Sequence, residues 1–470
     1  MDNGYYRLEI LTPNLPTKIA FGKFSTILEL ADNTWKFRTD ATTNANFMEF
    51  ENASFLTIPK REELLNPDFY DKLLGDYVTD DKQIIVIGRS QIRLFAYFEN
   101  TQKYHGLKKI NATIWTAGNT IISDRVEQKF VFTTTGLEIF QGDKLVIKAT
   151  KEEFYKTEKV SYSNNVGVKL GATIFKPKNP NAKAIVLVHG SGPQDRNGYA
   201  SIIRLLADIF TREGITVLTY DKQGVGSSSG NWEKENFKDL GQDALAGISY
   251  LKNRKDLKLT KIGLGGSSQA GWVMAKAIEQ SNDVDFVLAI GAAGSGIPVT
   301  EQNIYNTKVQ MECSRTFTQK QIDNALTQQR YFFEYVKNQK NAKELDQFTF
   351  SLSTDSLLRD WLFPMSKDID LNNRNQWFTA LEIAFNPLDI WKNYSKPVLM
   401  TFSEFDDSTP TTIVKANLEK LNKKNIQILV LPNAQHLGLN TNSVCKGDVS
   451  ILQSFHKDFF LTLKKWIKGI

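Results

Sequence analysis

The sequence contains little cysteine and little histidine. Its 470 residues include only two cysteines, Cys313 and Cys445, and four histidines. Two cysteines exclude a disulfide framework and a cysteine-based zinc site. Four histidines leave little room for a histidine-rich metal site. The sequence therefore gives no support for a metal-dependent function.

Long apolar runs and strong net charge are also absent. No uncharged apolar run approaches the ~18–20 residues of a transmembrane helix, so we expect no membrane span. The 58 basic and 52 acidic residues leave a formal charge of +6 without a dense basic block, which disfavours nucleic acid as a partner. The first residues, MDNGYYRLEILTP, lack the regions of a signal peptide. We expect a cytoplasmic protein as the chain is given, or an exported one if a signal was removed, and the compartment and the oligomeric state stay open.

The length and the abundant aromatic residues indicate a globular chain with more than one domain. Residues 1–155 show short runs of alternating polar and apolar residues broken by turn residues, which predicts β-strands. A short helical stretch at Lys60–Leu74 divides this half. We therefore expect a β-rich segment over residues 1–74 and a small β-barrel or sandwich over residues 75–155.

Strands and helices alternate from residue 182 onward. The run AIVLVHG, residues 184–190, is apolar throughout, as expected for a strand buried on both faces. Repeated alternation predicts a parallel sheet with helices on both sides, within a domain covering residues 156–470. The alternation stops between about residues 295 and 390, where the sequence is helical. An insertion at the carboxyl edge of a parallel sheet lies where ligands bind, so we interpret it as a cap. Most of its aromatic residues are expected to pack the cap onto the sheet domain, and they are Phe348, Phe350, Trp361, Phe363, Trp377, Phe378, Phe385 and Trp391.

The most informative motif is Gly266-Ser267-Ser268-Gln269-Ala270-Gly271. It lies between a predicted strand and a predicted helix, with Ser268 on the turn. A sharp turn of this kind exposes a serine Oγ above the sheet and directs the next backbone N–H at a developing oxyanion. A dinucleotide site at Gly263-Leu264-Gly265 is the alternative, but the next strand lacks the acidic residue at its end that such a site needs.

A glycine-containing loop, His189-Gly190-Ser191-Gly192-Pro193, follows the first buried strand. Such a loop lets backbone N–H groups approach a ligand oxygen, so Ser191 or Gly192 could complete an oxyanion hole with Gln269. The alternative is a tight turn that needs its glycines for conformation only. We expect His189 to have a structural role. Next to this loop, Asp195 and Arg196 are expected to form a local ion pair rather than to contact substrate.

Two further loops leave the carboxyl ends of late strands, and they contain Asp406 and His436. The order Ser268, Asp406, His436 along the chain is that of a nucleophile, acid and base on this architecture. The other histidines are worse placed, since we expect His105 in an exposed polar loop and His456 in the last helix. Asp406 is favoured as the acid over Asp407 and Glu404 by its place in the loop.

These segments resemble the α/β-hydrolase superfamily, and most closely its bacterial serine esterase and dienelactone-hydrolase-like branch. The matching segments are HGSGPQDRNG, YDKQGVGSSSG, GSSQAG, SEFDDSTP and NAQHLG. The resemblance covers residues from about 158 to the end and implies an α/β fold with the triad Ser268, Asp406 and His436. Ala270, Ser403 and Gln223 depart from the family's pattern and leave the subfamily open.

The resemblance implies a serine hydrolase that cleaves a small-molecule carboxylic ester through an acyl-enzyme, without a cofactor. A peptidase, a thioesterase or an amidase using the same triad is the alternative among enzymes. A non-catalytic protein that binds a partner through its β-rich amino-terminal half is the alternative from another class. The sequence does not identify substrate-binding residues or the role of residues 1–155.

Overall fold

The computed structural model describes residues 67–470 apart from residues 91–92, 123–125, 374–377, 379–381 and 448–450. Before residue 67 it describes the backbone of three strands, β1 (Asp2–Ile10), β2 (Lys18–Ala31) and β3 (Thr34–Ala45), which form an antiparallel sheet. Residues 60–66 of the predicted helical stretch lie outside the described residues. The remainder of that stretch contains a 3₁₀ helix at Pro67–Leu73.

The next eight strands close into an antiparallel barrel. Its interior is filled by side chains such as those of Ile87, Trp115 and Phe130, as expected for a barrel of this size. The strands are β4 (Gly75–Thr79), β5 (Ile84–Ser90), β6 (Arg93–Phe98), β7 (Lys103–Lys109), β8 (Ile114–Ala117), β9 (Gln128–Phe132), β10 (Gly136–Gln141) and β11 (Lys144–Glu152).

A second sheet of eight strands forms the centre of the remaining chain, in the order β12-β13-β15-β14-β16-β17-β18-β19. The five pairings from β15 to β19 are parallel, which confirms the predicted parallel sheet. The strands are β12 (Tyr155–Ser163), β13 (Lys169–Pro177), β14 (Lys183–Val188), β15 (Thr216–Tyr220), β16 (Lys261–Ser267), β17 (Val287–Ile290), β18 (Val398–Ser403) and β19 (Ile426–Leu431).

Helices cover both faces of this sheet, and β14 shows why its sequence is apolar throughout. Val186 and Val188 pack into the core on one face, while Ile185 and Leu187 pack into the core on the other. The helices are α1 (Ile202–Arg212), α2 (Phe237–Asn253), α3 (Ala270–Gln280), α4 (Val299–Ser314), α5 (Gln319–Asn338), α6 (Ala342–Leu352), α7 (Leu388–Asn393), α8 (Thr411–Glu419) and α9 (Phe459–Gly469). None of the helices in the described part of the chain is long and apolar enough to cross a bilayer.

The segment between β17 and β18 contains α4, α5, α6 and α7. Its aromatic residues contribute mainly to packing. Phe363, Phe378, Phe385 and Trp391 belong to the core shared with the sheet, while Phe348 and Trp361 join a smaller cluster inside the insertion. Phe350 is exposed, and Trp377 lies outside the described residues.

A disulfide joins Cys313 of α4 to Cys445, 132 residues later. The bond ties the helical insertion to the segment that precedes α9. A single bond is compatible with the predicted absence of a disulfide framework, but the sequence did not indicate that these two cysteines meet.

The barrel is joined to the sheet domain by backbone hydrogen bonds. The N–H of Tyr104 donates to the carbonyl of Gln453 over 3.0 Å, and the N–H of Phe455 donates to the carbonyl of Gln102 over 2.9 Å. Tyr97, Tyr104 and Phe455 belong to one apolar core with α1 and α9. The barrel is therefore part of the same packed unit as the sheet domain.

Two histidine predictions were wrong. His105 lies inside β7, is buried, and its Nδ1 is 2.9 Å from the carbonyl oxygen of Gly118. Burial lowers its pKa to about 4. His456 lies ahead of α9, where its Nδ1 accepts a hydrogen bond from the N–H of Asp458. Tertiary packing buries His105, and a local turn holds His456 ahead of α9. Neither feature gives a clear signal in the sequence.

Candidate active site

Ser268 occupies the turn between β16, which ends at Ser267, and α3, which begins at Ala270. Its φ is +57°, in the left-handed region that side chains other than glycine seldom adopt. Such a conformation costs on the order of 1–3 kcal/mol and persists where surrounding contacts hold it. The N–H of Ser268 donates to the carbonyl of Ile290 at the end of β17, over 3.0 Å. The neighbouring strand thus anchors the turn.

Small residues surround this turn because helix α3 begins close to the sheet. A Cβ on Gly266 would lie 2.5 Å from the carbonyl oxygen of Val188, and one on Gly271 would lie 2.9 Å from the Cβ of Ala292. Both distances are shorter than van der Waals contact. The amino terminus of α3 therefore lies close to the carboxyl ends of β14 and β16. Within the described part of the chain, the N–H of Gln269 has no hydrogen-bond acceptor, so it is available to a ligand oxygen.

His436 and Asp406 face each other from the loops that follow β19 and β18. The Nδ1 of His436 is 3.0 Å from Oδ1 and 2.9 Å from Oδ2 of Asp406. The carboxylate is buried, and its Oδ1 also accepts the N–H groups of Ser408 and Thr409, at 2.8 and 2.7 Å. These bonds hold Asp406 in one orientation, which leaves Nε2 of the imidazole to act on a substrate or a hydroxyl group.

The other two acidic residues of this loop have different partners. Asp407 accepts the hydroxyl of Ser408, and Glu404 accepts the N–H of Asn433 over 2.9 Å. Of the three acidic side chains considered, the structure pairs Asp406 with His436.

Burial and charge act in opposite directions on His436. Desolvation lowers the pKa of the imidazole, but the charge and hydrogen bond of Asp406, with a contribution from Asp407, outweigh it. The net effect raises the pKa of His436 above its ordinary value of 6.5. An imidazole of raised pKa is a stronger base, as a proton acceptor from serine requires.

His436 and Ser268 come close to adjacent residues at the end of β17. Ser268 is hydrogen-bonded to Ile290, and a Cβ on the next residue, Gly291, would lie 3.3 Å from Nδ1 of His436. The hydroxyl of Thr409 donates to the carbonyl of Gly291 over 3.0 Å, which links the Asp406 loop to the same point. The carboxyl ends of parallel strands therefore bring the three predicted triad residues to one edge of the sheet.

The loop after β14 approaches Ser268 from the other side. A Cβ on Gly190 would lie 3.7 Å from the Cβ of Ser268 and 3.4 Å from the carbonyl oxygen of Ser267, so Gly190 lies against the turn. His189 is buried at the start of this loop, and its ring packs edge-on against Tyr220 at 4.6 Å. Burial lowers the pKa of His189 to about 3, in agreement with a structural role.

Lys222 lies buried beneath this loop, and the sequence did not single it out. Its Nζ donates to the carbonyl oxygens of Gly190 and Gly192, both at 3.0 Å, and to Oε1 of Gln269 at 3.2 Å. One ammonium group thus connects the glycine loop to the residue after Ser268. Burial lowers its pKa to about 7, although Asp243 acts in the opposite direction. Only its place in the YDKQGVG segment could have drawn attention to it.

Residues beside the loop form ion pairs within the protein. The Nη2 of Arg196 lies 2.6 Å from Oδ2 of Asp221, and the Nη1 of Arg89 in the barrel lies 3.0 Å from Oδ2 of Asp195. The expected local ion pair between Asp195 and Arg196 is wrong: both side chains form ion pairs within the protein, but their partners are Arg89 and Asp221.

Comparison with known proteins gives a family match. The family model described as serine aminopeptidase, S33, matches residues 179–441, which is more than half of the chain. No curated protein gives a significant sequence match.

The similar solved structures include three of low sequence identity. An esterase from Pyrococcus furiosus is 15% identical, with 67% of this chain and 91% of that chain covered and a TM-score of 0.43. Est1E from Butyrivibrio proteoclasticus, solved with ferulic acid, is 17% identical, with 66% and 98% covered and a TM-score of 0.40. A thermophilic esterase from Thermogutta terrifontis is 15% identical, with 66% and 98% covered and a TM-score of 0.39.

Proposed function

The chain belongs to the serine aminopeptidase, S33, family of α/β hydrolases, and from this premise we propose that it cleaves carboxylic esters with Ser268 as the nucleophile. The observation that carries the proposal is the buried Asp406–His436 pair, at the strand edge where Ser268 occupies a strained turn. A nucleophile, a base and a residue that orients the base are the groups that acyl transfer requires.

The proposed reaction has two stages. His436 Nε2 takes the proton of Ser268 as Oγ attacks the ester carbonyl, and Asp406 stabilises the imidazolium. The N–H groups of Gln269 and of Ser191 or Gly192 hold the oxyanion. His436 then protonates the departing alkoxide, and a water molecule, activated by His436, hydrolyses the acyl-enzyme. The products are the alcohol and the carboxylic acid.

Lys222 has a positioning role in this proposal. It binds two carbonyl oxygens of the glycine loop and the side chain of Gln269, so it fixes both sides of the proposed oxyanion hole relative to each other. Oxyanion stabilisation depends on donors held in place before the charge develops.

We further propose that the insertion over residues 295–390 is a cap on the domain of residues 156–470, which follows the β-rich segment 1–74 and the barrel region 75–155. The hydroxyl of Tyr305 in α4 donates to the backbone carbonyl of Asp406 over 2.7 Å. The first helix of the insertion therefore contacts the loop that carries the proposed acid.

The adjacent serines offer a matched test. Ser268→Ala should abolish hydrolysis of short p-nitrophenyl esters, whereas Ser267→Ala should retain it, with both variants folded by circular dichroism. A fluorophosphonate probe should label the parent enzyme once, at Ser268. Full activity in Ser268→Ala, or a label on another residue, would exclude Ser268 as the nucleophile.

A peptidase is the second candidate, because the description of the matching family names an aminopeptidase. Values of kcat/KM for matched ester, thioester and peptide anilide substrates separate these activities. We expect the ester to be preferred over both others. A preference for anilides with a free amino terminus would favour the peptidase.

A further inference from the structure

A small cavity of about 140 Å³ lies beside His436. It is smaller than the ~300 Å³ at the lower end for drug-sized ligands, so it accommodates one short group and not a whole substrate. Residues from five separate regions line it, namely the barrel, the start of α1, the loop after β18, the loop that carries His436 and the segment that contains Gly447.

The barrel supplies two of the lining residues, Tyr104 of β7 and Ile121 of the connection between β8 and β9. Ile121 is held on both sides: its N–H donates to the carbonyl of Leu452 over 2.8 Å, and its carbonyl accepts the N–H of Gly106 over 2.6 Å. The hydroxyl of Tyr104 donates to the carbonyl of Ala200. Both side chains are buried, so this wall of the cavity is rigid.

The sheet domain supplies the opposite walls. Ile202 at the start of α1, and Leu437 and Leu439 next to His436, present apolar side chains to the cavity. Gly447 also lines it, two residues after Cys445, whose disulfide to Cys313 ties this segment to α4. The wall is therefore fastened to the helical insertion as well.

The lining also indicates the chemical class of the ligand. Ile121, Ile202, Leu437 and Leu439 favour a hydrocarbon group. Asp407, the acidic residue of the lining, disfavours an anionic ligand there. His436 lines the cavity, and in the proposed function it protonates the leaving oxygen, so the group attached to that oxygen is the part of the substrate assigned to this cavity.

We propose that the cavity binds the alcohol portion of the ester, that the enzyme prefers short uncharged aliphatic alcohols, and that Ile121 of the barrel sets the length it accepts. The proposal rests on the proposed function, because the cavity is assigned to the alcohol on the ground that His436, which lines it, protonates the leaving oxygen. It gives the barrel a specificity-determining role in the hydrolase.

The test uses two substrate series and variants of two neighbouring isoleucines in the full chain. One series consists of acetates of methanol, ethanol, butanol and hexanol, and the other of methyl esters of acids of increasing length. Ile121→Trp narrows the cavity and Ile121→Ala widens it. The controls are the same substitutions at Ile122, which is 37% exposed and does not line the cavity.

For Ile121→Trp we expect the ratio of kcat/KM for butyl acetate to that for methyl acetate to fall about 10-fold or more. The fit of a single methylene group in an apolar pocket already changes kcat/KM by about 10-fold or more. Ile121→Ala should shift the preference to longer alcohols, and it keeps the test available if the tryptophan variant does not fold. Both Ile122 variants should keep the parent's profile, and the methyl ester series should be unchanged throughout.

Two outcomes would overturn the proposal. An unchanged alcohol profile in both active Ile121 variants would show that the cavity does not contact the substrate. A change in the acid series instead would place the acyl group there. Neither outcome affects the proposed function, which fails separately if Ser268→Ala remains active.

Discussion

Gly266 and Ala270 face each other across the turn that carries Ser268: a Cβ on Gly266 would lie 2.5 Å from the Cβ of Ala270. The methyl group of Ala270, which departs from the glycine usual in the family, is accommodated only because position 266 has no side chain. The same Cβ would also lie 2.5 Å from the backbone carbonyl oxygen of Val188.

We therefore expect Gly266→Ala to displace the turn and to lower kcat about 100-fold or more, because an ångström of misplacement at a reacting group costs about this much. Ala270→Gly introduces no new contact and should retain activity, with a stability loss of at most ~1 kcal/mol from the added backbone freedom of the helix. Ester kinetics and thermal melts of both variants test this. Equal activity in Gly266→Ala and the parent would contradict the crowding argument.

Because Asp406 is hydrogen-bonded to His436, substitutions of the two adjacent aspartates should have different effects on kcat. Asp406→Asn should lower kcat by up to ~10⁴, as loss of the orienting carboxylate does in a triad. Asp407→Asn should cause a much smaller loss of kcat, because Asp407 acts on His436 through charge and does not orient its ring. Steady-state kinetics of the two isosteric variants compare the losses of kcat. A greater loss for Asp407→Asn would identify Asp407 as the acid of the triad.

The pH dependence follows from the net rise in the pKa of His436. Catalysis needs the neutral imidazole, so kcat/KM should increase with pH and reach half its plateau above pH 6.5. In Asp406→Asn the main cause of the rise is removed while burial still disfavours the charged ring, so the residual activity should reach half its plateau at a lower pH. A shift to higher pH in that variant would contradict the assignment of causes.

Lys222→Met tests the positioning role of the buried ammonium group. We expect kcat to fall between about 10-fold and 100-fold while KM changes little, because the variant frees the glycine loop without removing a substrate contact. The melting temperature should change little, since the lost hydrogen bonds are offset by removal of a poorly solvated charge. Lys252→Met, at an exposed ion pair with Asp283, is the control and should keep the parent's kcat. An equal kcat in the two variants would exclude the role.

The disulfide between Cys313 and Cys445 should contribute to stability through the 132-residue separation that it spans. We expect the Cys313→Ser, Cys445→Ser double variant to lose about 2–4 kcal/mol of unfolding free energy, measured by urea denaturation. A reductant should lower the stability of the parent to that of the variant and leave the variant unchanged. Equal stability of oxidised and reduced parent would show that the bond contributes nothing.

Much of the fold could be predicted from local sequence patterns. The apolar run of β14 identified a strand buried on both faces, and the small residues around Ser268 identified a sharp turn between strand and helix. These signals are local, because strand and helix periodicity and turn chemistry act within about ten residues. The order of the loops along the chain then favoured Asp406 and His436, since consecutive parallel strands end at the same edge of a sheet.

Other features depended on contacts between distant parts of the chain. The burial of His105, the meeting of Cys313 with Cys445, the three hydrogen bonds of Lys222 and the place of Ile121 beside His436 have no counterpart in sequence spacing. Each arises where separately folded elements pack against one another, and the geometry of that packing is set by the shapes of whole surfaces. The amino-acid sequence by itself determined the sheet, its turn and the order of the candidate catalytic residues. Only the tertiary structure decided what surrounds those residues, because long-range contacts follow from packing and leave no periodic trace in the chain.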